Sequence, residues 1–156
     1  MRIRSFNASD SQALWQLKFD TIRNVNCAHY NQEQLKAWAP DDMDMSFWFT
    51  RISQMDPLIL EHQNTILGFA DLQADGYIDH FFCHKDYIGQ GHGRLLMQEV
   101  LSQANKHKIT RLYSQVSITA KPFFENFNFQ QVKAQQVMVK GVTLDNFLME
   151  RQMEWR

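Results

Sequence analysis

The chain has 156 residues, 44% of them hydrophobic, with 16 Lys and Arg against 17 Asp and Glu. This length fits one domain, which we assign to residues 1–156, and the composition excludes disordered, collagen-like and coiled-coil proteins. The net charge of −1 argues against nucleic acid as a partner, because nucleic-acid binders carry a basic excess. Without a signal peptide or the roughly 18 apolar residues that span a bilayer, we expect a cytoplasmic protein with no membrane partner.

The first part of the chain predicts one short strand followed by three helices. The strand covers Arg2 to Phe6, and a helix follows it directly. A second helix begins at Asn31, where Gln34 completes a capping box, and it must end before Pro40. A third helix begins at about Asp44.

From residue 57 the hydrophobic pattern changes to the alternation of strands. We expect an antiparallel series of three strands, then a long helix from Arg94 to about Lys106, a strand, a short helix from Thr119 to Phe127 and a final hairpin. The expected strands are Leu58–Glu61, Thr65–Leu72, Tyr77–Cys83, Leu112–Val116, Val132–Val139 and Val142–Glu150. This order predicts an α+β (mixed α/β) fold built round one sheet with helices on its faces.

Three closely spaced glycines, Gly89, Gly91 and Gly93, stand between a predicted strand and the long helix. Glycines let the backbone turn tightly there, and a helix start offers unpaired N–H groups and a positive dipole end to an anion such as phosphate. The glycines alone are equally consistent with an ordinary turn. The segment has neither the Lys-Ser/Thr ending of a P-loop nor the spacing of GxGxxG.

Two blocks resemble motifs of the GCN5-related N-acetyltransferase (GNAT) family. Ile88-Gly89-Gln90-Gly91-His92-Gly93 is similar to the family's Q/R-x-x-G-x-G/A loop, and Ala120 to Phe129 is similar to its A-x-x-F-Y-E-x-x-G-F segment. His29 to Pro40 resembles an early helical segment of small, single-domain bacterial-type members. The chain departs from the motifs at Ile88, at Phe124 in place of Tyr, and at Asn128 in place of Gly.

The resemblance implies a mostly antiparallel sheet splayed between its fourth and fifth strands, with acetyl-CoA as cosubstrate in the gap. It implies pyrophosphate binding by the backbone of the glycine-rich loop, contact of the pantetheine arm and thioester with the end of the fourth strand, and a contact from Ser117, which stands where many relatives have Asn. The implied coenzyme-binding residues are Phe82, Cys83, His84, Gly89, Gln90, Gly91, His92, Gly93, Arg94, Ser117 and Phe124.

The implied reaction is acetyl transfer to an amine by direct attack in a ternary complex, so a group must take the amine proton. Asp79 and His80 are the candidates. As neighbours on a strand they are expected to point to opposite faces. We favour Asp79, because related enzymes take this group from its face; an Asp79 bound to an arginine or a helix cap, and a His80 that only packs in the sheet, are the alternatives. Phe124 cannot protonate the departing thiolate, a loss of about 2 kcal/mol for about 1.5 pKa units, and Tyr113 or water is the expected substitute.

The acceptor is expected to be the primary amine of a small molecule or amino-acid-like compound, with His29, Tyr30 and Trp38 as lining residues unless they only pack in the core. No metal site is indicated, because His80 and His84 would lie about 13 Å apart along a strand. The competing interpretation is a catalytically weak module that binds acyl-CoA or a partner protein. Either form is expected to be a monomer or a homodimer.

Overall fold

Seven strands, five α-helices and three short 3-10 helices lie within residues 1–154, the part of the chain that this computed structural model describes. The strands are β1 (Arg2–Ser5), β2 (Leu58–His62), β3 (Thr65–Ala70), β4 (Phe81–Cys83), β5 (Arg111–Ser117), β6 (Gln130–Val139) and β7 (Val142–Gln152). The helices are α1 (Ser11–Asn24), α2 (Gln32–Trp38), α3 (Met45–Met55), α4 (His92–Lys106) and α5 (Lys121–Glu125). The expected mixed α/β class and order of elements are confirmed, and so is the capping box of Asn31 and Gln34 at α2.

The strands form two antiparallel groups that meet at one end and separate at the other. One group has the order β1-β2-β3-β4 and the other β5-β7-β6. They are joined by a parallel bridge between Tyr77 and Tyr113, where Ile78 N–H donates to the Tyr113 carbonyl at 2.9 Å. Ser114 Oγ donates to the Ile78 carbonyl at 2.7 Å, so a side chain replaces the next ladder bond. Beyond this point β4 and β5 diverge, which confirms the expected splay.

Helices cover both faces of the β1–β4 group. On one face α1 and α3 bury Leu14 and Trp48 against Ile59 and Phe69. On the other face α4 buries an apolar stripe with Leu96 against β2 and β3. Burial of large apolar side chains contributes about 1.5–3 kcal/mol each, and these contacts hold α1 and the start of α4 against opposite sides of β4.

The strand expected from Tyr77 to Cys83 is wrong in its first half, and the cause is Asp71. This buried carboxylate accepts hydrogen bonds from the backbone N–H groups of both Asp79, at 2.8 Å, and His80, at 2.7 Å. In an extended strand, successive N–H groups point in opposite directions, so two donors to one oxygen require a break in the alternation. Only Phe81–Cys83 therefore pairs with β3, which itself ends at Ala70 rather than Leu72.

No helix within residues 1–154 is both long enough and apolar enough to cross a membrane.

Candidate active site

A cavity of about 450 Å³ fills the gap between β4 and β5, and we call it the central cavity. Residues 79–82 line one side and residues 114–117 the other. Lys18 of α1 and Arg51 of α3 contribute charged side chains. The cavity therefore lies at the point where the sheet is open and backbone groups have no strand partner.

The glycine-rich loop lies next to this gap and leads directly into α4. Gly89 and Gly91 have φ angles of 83° and 86°, and an added Cβ would meet no atom within 4 Å at either, so the backbone surface there is bare. No side chain caps α4, and the first intrahelical bond runs from Leu95 N–H to the Gly91 carbonyl. The N–H groups of residues 92–94 are thus left for a ligand, which is the arrangement that binds phosphate.

Gly93 and His92 differ from the other loop residues because both pack inward. A Cβ at Gly93 would lie 3.0 Å from the Phe123 ring and 3.5 Å from Cys83 Sγ, so glycine allows α4 to approach β4. His92 is 8% exposed, and its Nδ1 has no hydrogen-bond partner within residues 1–154. Gln90 and Arg94 are exposed beside the loop.

The edge of β4 that faces the gap is formed by Phe81 and Cys83. His84 N–H donates to the Leu67 carbonyl of β3 at 2.8 Å, and because antiparallel ladders alternate, the backbone groups of Cys83 point away from β3. The Cys83 carbonyl accepts from Thr21 Oγ1 of α1 at 2.7 Å, which leaves its N–H toward the gap. Phe82 lines the cavity, whereas the His84 side chain accepts from Asp86 N–H and caps the following turn.

Ser117 and Phe124, expected opposite β4, both lie there, but their side chains make different contacts. Ser117 lines the cavity, and its Oγ accepts from Ala120 N–H at 3.1 Å, within the turn that precedes α5. Phe124 lines the cavity with a ring that is 3% exposed and has no proton to give. Tyr113 is not its substitute: its hydroxyl donates to Asp75 at the far end of the sheet.

A connected set of four side chains, the Lys18–His80–Asp79–Arg51 network, stands at the centre of the cavity. Lys18 Nζ lies 2.8 Å from His80 Nε2. His80 Nδ1 lies 3.3 Å from Asp79 Oδ2, and Arg51 donates to the same oxygen at 2.7 Å. The expectation that Asp79 and His80 point to opposite sides is wrong, because Asp71 breaks the alternation and both residues line the cavity.

Burial and charge shift the protonation of this network. Burial, with the nearby Arg51, lowers the pKa of Lys18 to about 7. Burial and the Lys18 charge lower the pKa of His80 to about 3. Burial alone would raise the pKa of Asp79, but the adjacent His80 and the hydrogen bond from Arg51 outweigh it and hold that pKa well below its usual range. At neutral pH Asp79 is ionised, His80 is neutral, and Lys18 is the group that titrates.

The three expected acceptor residues have different positions. Tyr30 and Trp38 line the cavity and pack edge to face, with ring centres 5.6 Å apart. The Tyr30 hydroxyl donates to the Asp145 carbonyl and accepts from Ile118 N–H, so its polar atom is fully used. His29 is exposed, lies outside the cavity lining and contacts Thr119 Oγ1 at 2.8 Å.

Neither metal nor thiol chemistry has a supporting arrangement here. Within residues 1–154 no group of three His, Cys, Asp or Glu side chains could hold an ion. Burial raises the pKa of the Cys83 thiol to about 11, which disfavours the thiolate that a nucleophile requires. Cys27 is exposed.

Sequence reasoning missed Lys18, Arg51 and Asp71. Lys18 and His80 are 62 positions apart, and Arg51 and Asp79 are 28 apart, so no local motif links them. One signal was available: Lys18 falls among the apolar positions of α1, next to Leu14 and Leu17. A lysine at such a position is either poorly accommodated in the hydrophobic core or a buried functional group.

The model of the acetyltransferase (GNAT) domain matches residues 26–150. An N-acetyltransferase of Escherichia coli K12, YafP, described as uncharacterized, is 29% identical over 149 residues, which cover 96% of this chain and 94% of YafP. The crystal structure of a GCN5-related N-acetyltransferase from Rhodopseudomonas palustris superposes with a TM-score of 0.92 at 25% identity, covering 97% of this chain and 95% of that one.

A phosphinothricin acetyltransferase from Sinorhizobium meliloti, solved in complex with AcCoA, shares the fold with a TM-score of 0.73 at 14% identity, over 97% of this chain and 88% of that one. The splayed sheet, the bare glycine-rich loop at the start of α4 and the matched family model lead to the same conclusion: this chain belongs to the GNAT family of acetyltransferases.

Proposed function

We propose that this protein transfers the acetyl group of acetyl-CoA to the primary amine of a small molecule, by direct attack within a ternary complex. The observation that carries the proposal is the opening between β4 and β5: the central cavity with the Lys18–His80–Asp79–Arg51 network occupies it, and the glycine-rich loop lies beside the end of β4, where Gly93 approaches Cys83. The loop offers backbone donors to a pyrophosphate, and the cavity offers an ionised carboxylate to an ammonium group.

Acetyl-CoA fits the residues at the open end of the sheet. The unpaired N–H groups at the start of α4 suit the pyrophosphate. The free N–H of Cys83 suits the thioester carbonyl, where it would stabilise the negative charge that develops on oxygen during attack. Phe82, Ser117 and Phe124 border the path between these two points.

The size of the cavity and its Asp79 carboxylate favour a small acceptor with an ammonium group. Its volume of about 450 Å³ lies in the range of small-molecule sites, roughly 300–1,000 Å³. Asp79 is ionised and half-buried inside it, where it contacts Arg51 and where an ammonium group would be a further partner. Tyr30, Trp38 and Phe82 also line the cavity, and aromatic faces attract cations.

The test has two steps. Calorimetry with acetyl-CoA should give saturable binding, and release of the coenzyme thiol should then be measured with a panel of small primary amines. We expect turnover with at least one amine and none with tertiary amines, which cannot form a stable amide. Tight binding without turnover on any amine would favour the acyl-CoA-binding module, which Phe124 and the weakly basic His80 also fit. No binding of acetyl-CoA would exclude both functions.

A further inference from the structure

Lys18 is a lysine placed where lysines are seldom found. It is 7% exposed, and within residues 1–154 its Nζ forms no ion pair. Three aromatic rings surround the amino group, with ring centres 5.2 to 5.8 Å away: Trp15, Trp48 and Phe82. Its one hydrogen-bond partner is Nε2 of His80, and it lines the central cavity.

His80 connects Lys18 to the Asp79 side of the cavity. Its two ring nitrogens face in different directions, Nε2 toward Lys18 and Nδ1 toward Asp79. The ring is 2% exposed, and Nδ1 is not aligned for a hydrogen bond, so it is a buried polar atom without a partner among the described residues. Such an atom costs free energy unless a ligand or a proton satisfies it.

We propose, on the basis of the acetyltransferase function above, that Lys18 is the terminal proton acceptor of the reaction and that His80 relays the proton to it. The acceptor ammonium gives one proton through the Asp79 carboxylate, which lies 3.3 Å from the ring, to His80 Nδ1, while the Nε2 proton of the same ring passes to the neutral amino group of Lys18. His80 thereby exchanges one tautomer for the other and carries no net charge before or after the transfer. Asp79 holds the ammonium and faces the nitrogen that receives the proton.

The step balances in atoms and electrons. The amine nitrogen, now with a lone pair, forms a C–N bond to the thioester carbonyl carbon. The electron pair of the C–S bond leaves with sulfur, and the second N–H proton reaches the departing thiolate through solvent. The products are the amide, coenzyme A and the Lys18 ammonium; before the next turnover Lys18 returns its proton to His80 Nε2 while the Nδ1 proton leaves to water in the emptied cavity, which restores the starting tautomer.

The surroundings of Lys18 suit a terminal proton acceptor better than those of His80 and Asp79. An efficient base has a pKa near the working pH, and the pKa of Lys18 is lowered to about 7. The charged groups that face the pair are Arg51 from α3, which opposes a proton on either residue, and Asp79, which favours one. Asp71, packed behind Asp79, accepts from the backbone N–H groups of Asp79 and His80 and from Gln73 Nε2. The three rings offset part of the cost of the buried cation.

The first experiment follows Lys18 without any turnover. Lysine labelled with ¹³C at Cε is incorporated, and the Lys18 signal, assigned by its loss in Lys18→Met, is titrated by NMR. We expect a midpoint near pH 7, well separated from the exposed lysines. A midpoint near 10 would overturn the proposal, since such a lysine is charged at neutral pH and can accept nothing.

The second experiment uses pH–rate profiles of Lys18→Arg and Lys18→Met. Arginine keeps the positive charge but does not deprotonate, so we expect kcat to fall about 100-fold in both variants and the acidic limb of the wild-type profile to disappear. Acetyl-CoA affinity should change by less than about threefold. Lys133→Met, which alters an exposed lysine of β6, is the control and should behave as wild type.

The outcomes separate this inference from the function on which it depends. An active wild type whose Lys18→Arg variant keeps the acidic limb at reduced rate would overturn the relay and leave the acetyltransferase intact. A wild type that binds acetyl-CoA but acetylates no amine would overturn both. Acetylation of Lys18 itself, read by mass spectrometry after incubation with acetyl-CoA, would also overturn the relay, because an amide nitrogen takes up no proton.

Discussion

The two ends of the candidate site, the glycine-rich loop and the network in the central cavity, are built from different kinds of group. At the loop end, the available groups are backbone N–H groups exposed by Gly89 and Gly91. At the Asp79 end, they are four side chains from α1, α3 and the segment before β4, held by contacts between residues distant in sequence. The backbone N–H groups of the first end do not titrate, whereas the second end contains charges that respond to pH and to each other.

This difference predicts that the two ends tolerate substitution differently. Backbone groups at a helix start persist whatever side chains surround them, provided that glycine keeps the approach open. A network of Lys, His, Asp and Arg depends on each member, because removing one leaves a buried charge or polar atom unpaired. Substitutions in the glycine-rich loop should therefore weaken acetyl-CoA binding, whereas substitutions in the network should lower the rate of the reaction.

The largest expected effect is that of Asp79→Asn. Loss of the carboxylate that faces both the ammonium and His80 should lower kcat/KM by about 10²–10³-fold, the range typical of acid–base groups, with acetyl-CoA affinity within about twofold of wild type. Steady-state kinetics and calorimetry measure the two quantities. Asp41→Asn is the matched control, because Asp41 is also paired with an arginine, Arg23 at 3.2 Å, but lies outside the cavity. Equal losses in both variants would refute the assignment.

A second effect concerns stability and pH. The folded-state pKa of Lys18, about 7, lies below the unfolded value of 10.5, so the unfolded chain binds more protons between these values. Stability linked to Lys18 therefore rises with pH from 7 toward 10. The comparison is with Lys18→Met, in which the other titrating groups, Cys83, Tyr30 and Tyr77, are unchanged. Relative to that variant, the wild type should gain about 3 kcal/mol in unfolding free energy between pH 7 and 9.5. Urea unfolding at both pH values tests this; a constant difference would contradict it.

At the other end, Gly91→Ala should act through the backbone. Alanine at a positive φ costs about 1 kcal/mol, and its methyl group would stand on the surface where the pyrophosphate is expected, so we expect acetyl-CoA to bind about tenfold more weakly. Gly141→Ala provides the control, since Gly141 also has a positive φ, 77°, and open space around it, but lies in the β6–β7 turn. Both variants should lose similar stability, and a similar loss of binding would contradict the prediction.

The smallest effect is expected for Phe124→Tyr, which places a hydroxyl at the position where the family motif has tyrosine. The ring packs among Phe81, Phe123 and Phe129, so the new hydroxyl is partly buried and costs stability. If it reaches the departing sulfur, kcat rises by about threefold, within the roughly 2 kcal/mol that protonation of the thiolate offers. Thiol release at saturating substrate measures the change, and a rate below wild type would show that Phe124 is needed for packing alone.

The order of the helices and strands, the loop before α4 and the capping box of α2 were predictable from the sequence, because each depends on residues a few positions apart. Hydrophobic periodicity, glycine spacing and cap chemistry are local properties. The same reasoning predicted the exposed backbone of the glycine-rich loop, which requires only glycines followed by a helix.

The side-chain end was decided by the tertiary structure. Asp71 accepts hydrogen bonds from the backbone N–H groups of Asp79 and His80, and this interrupts the strand before β4. As a result, the Asp79 and His80 side chains both line the central cavity. The pairing of Lys18 with His80 spans 62 positions and arises because α1 packs on β4. The length and near-neutral charge of the chain bounded the class of protein, while the proton chemistry depends on burial, which exists only once the chain has folded.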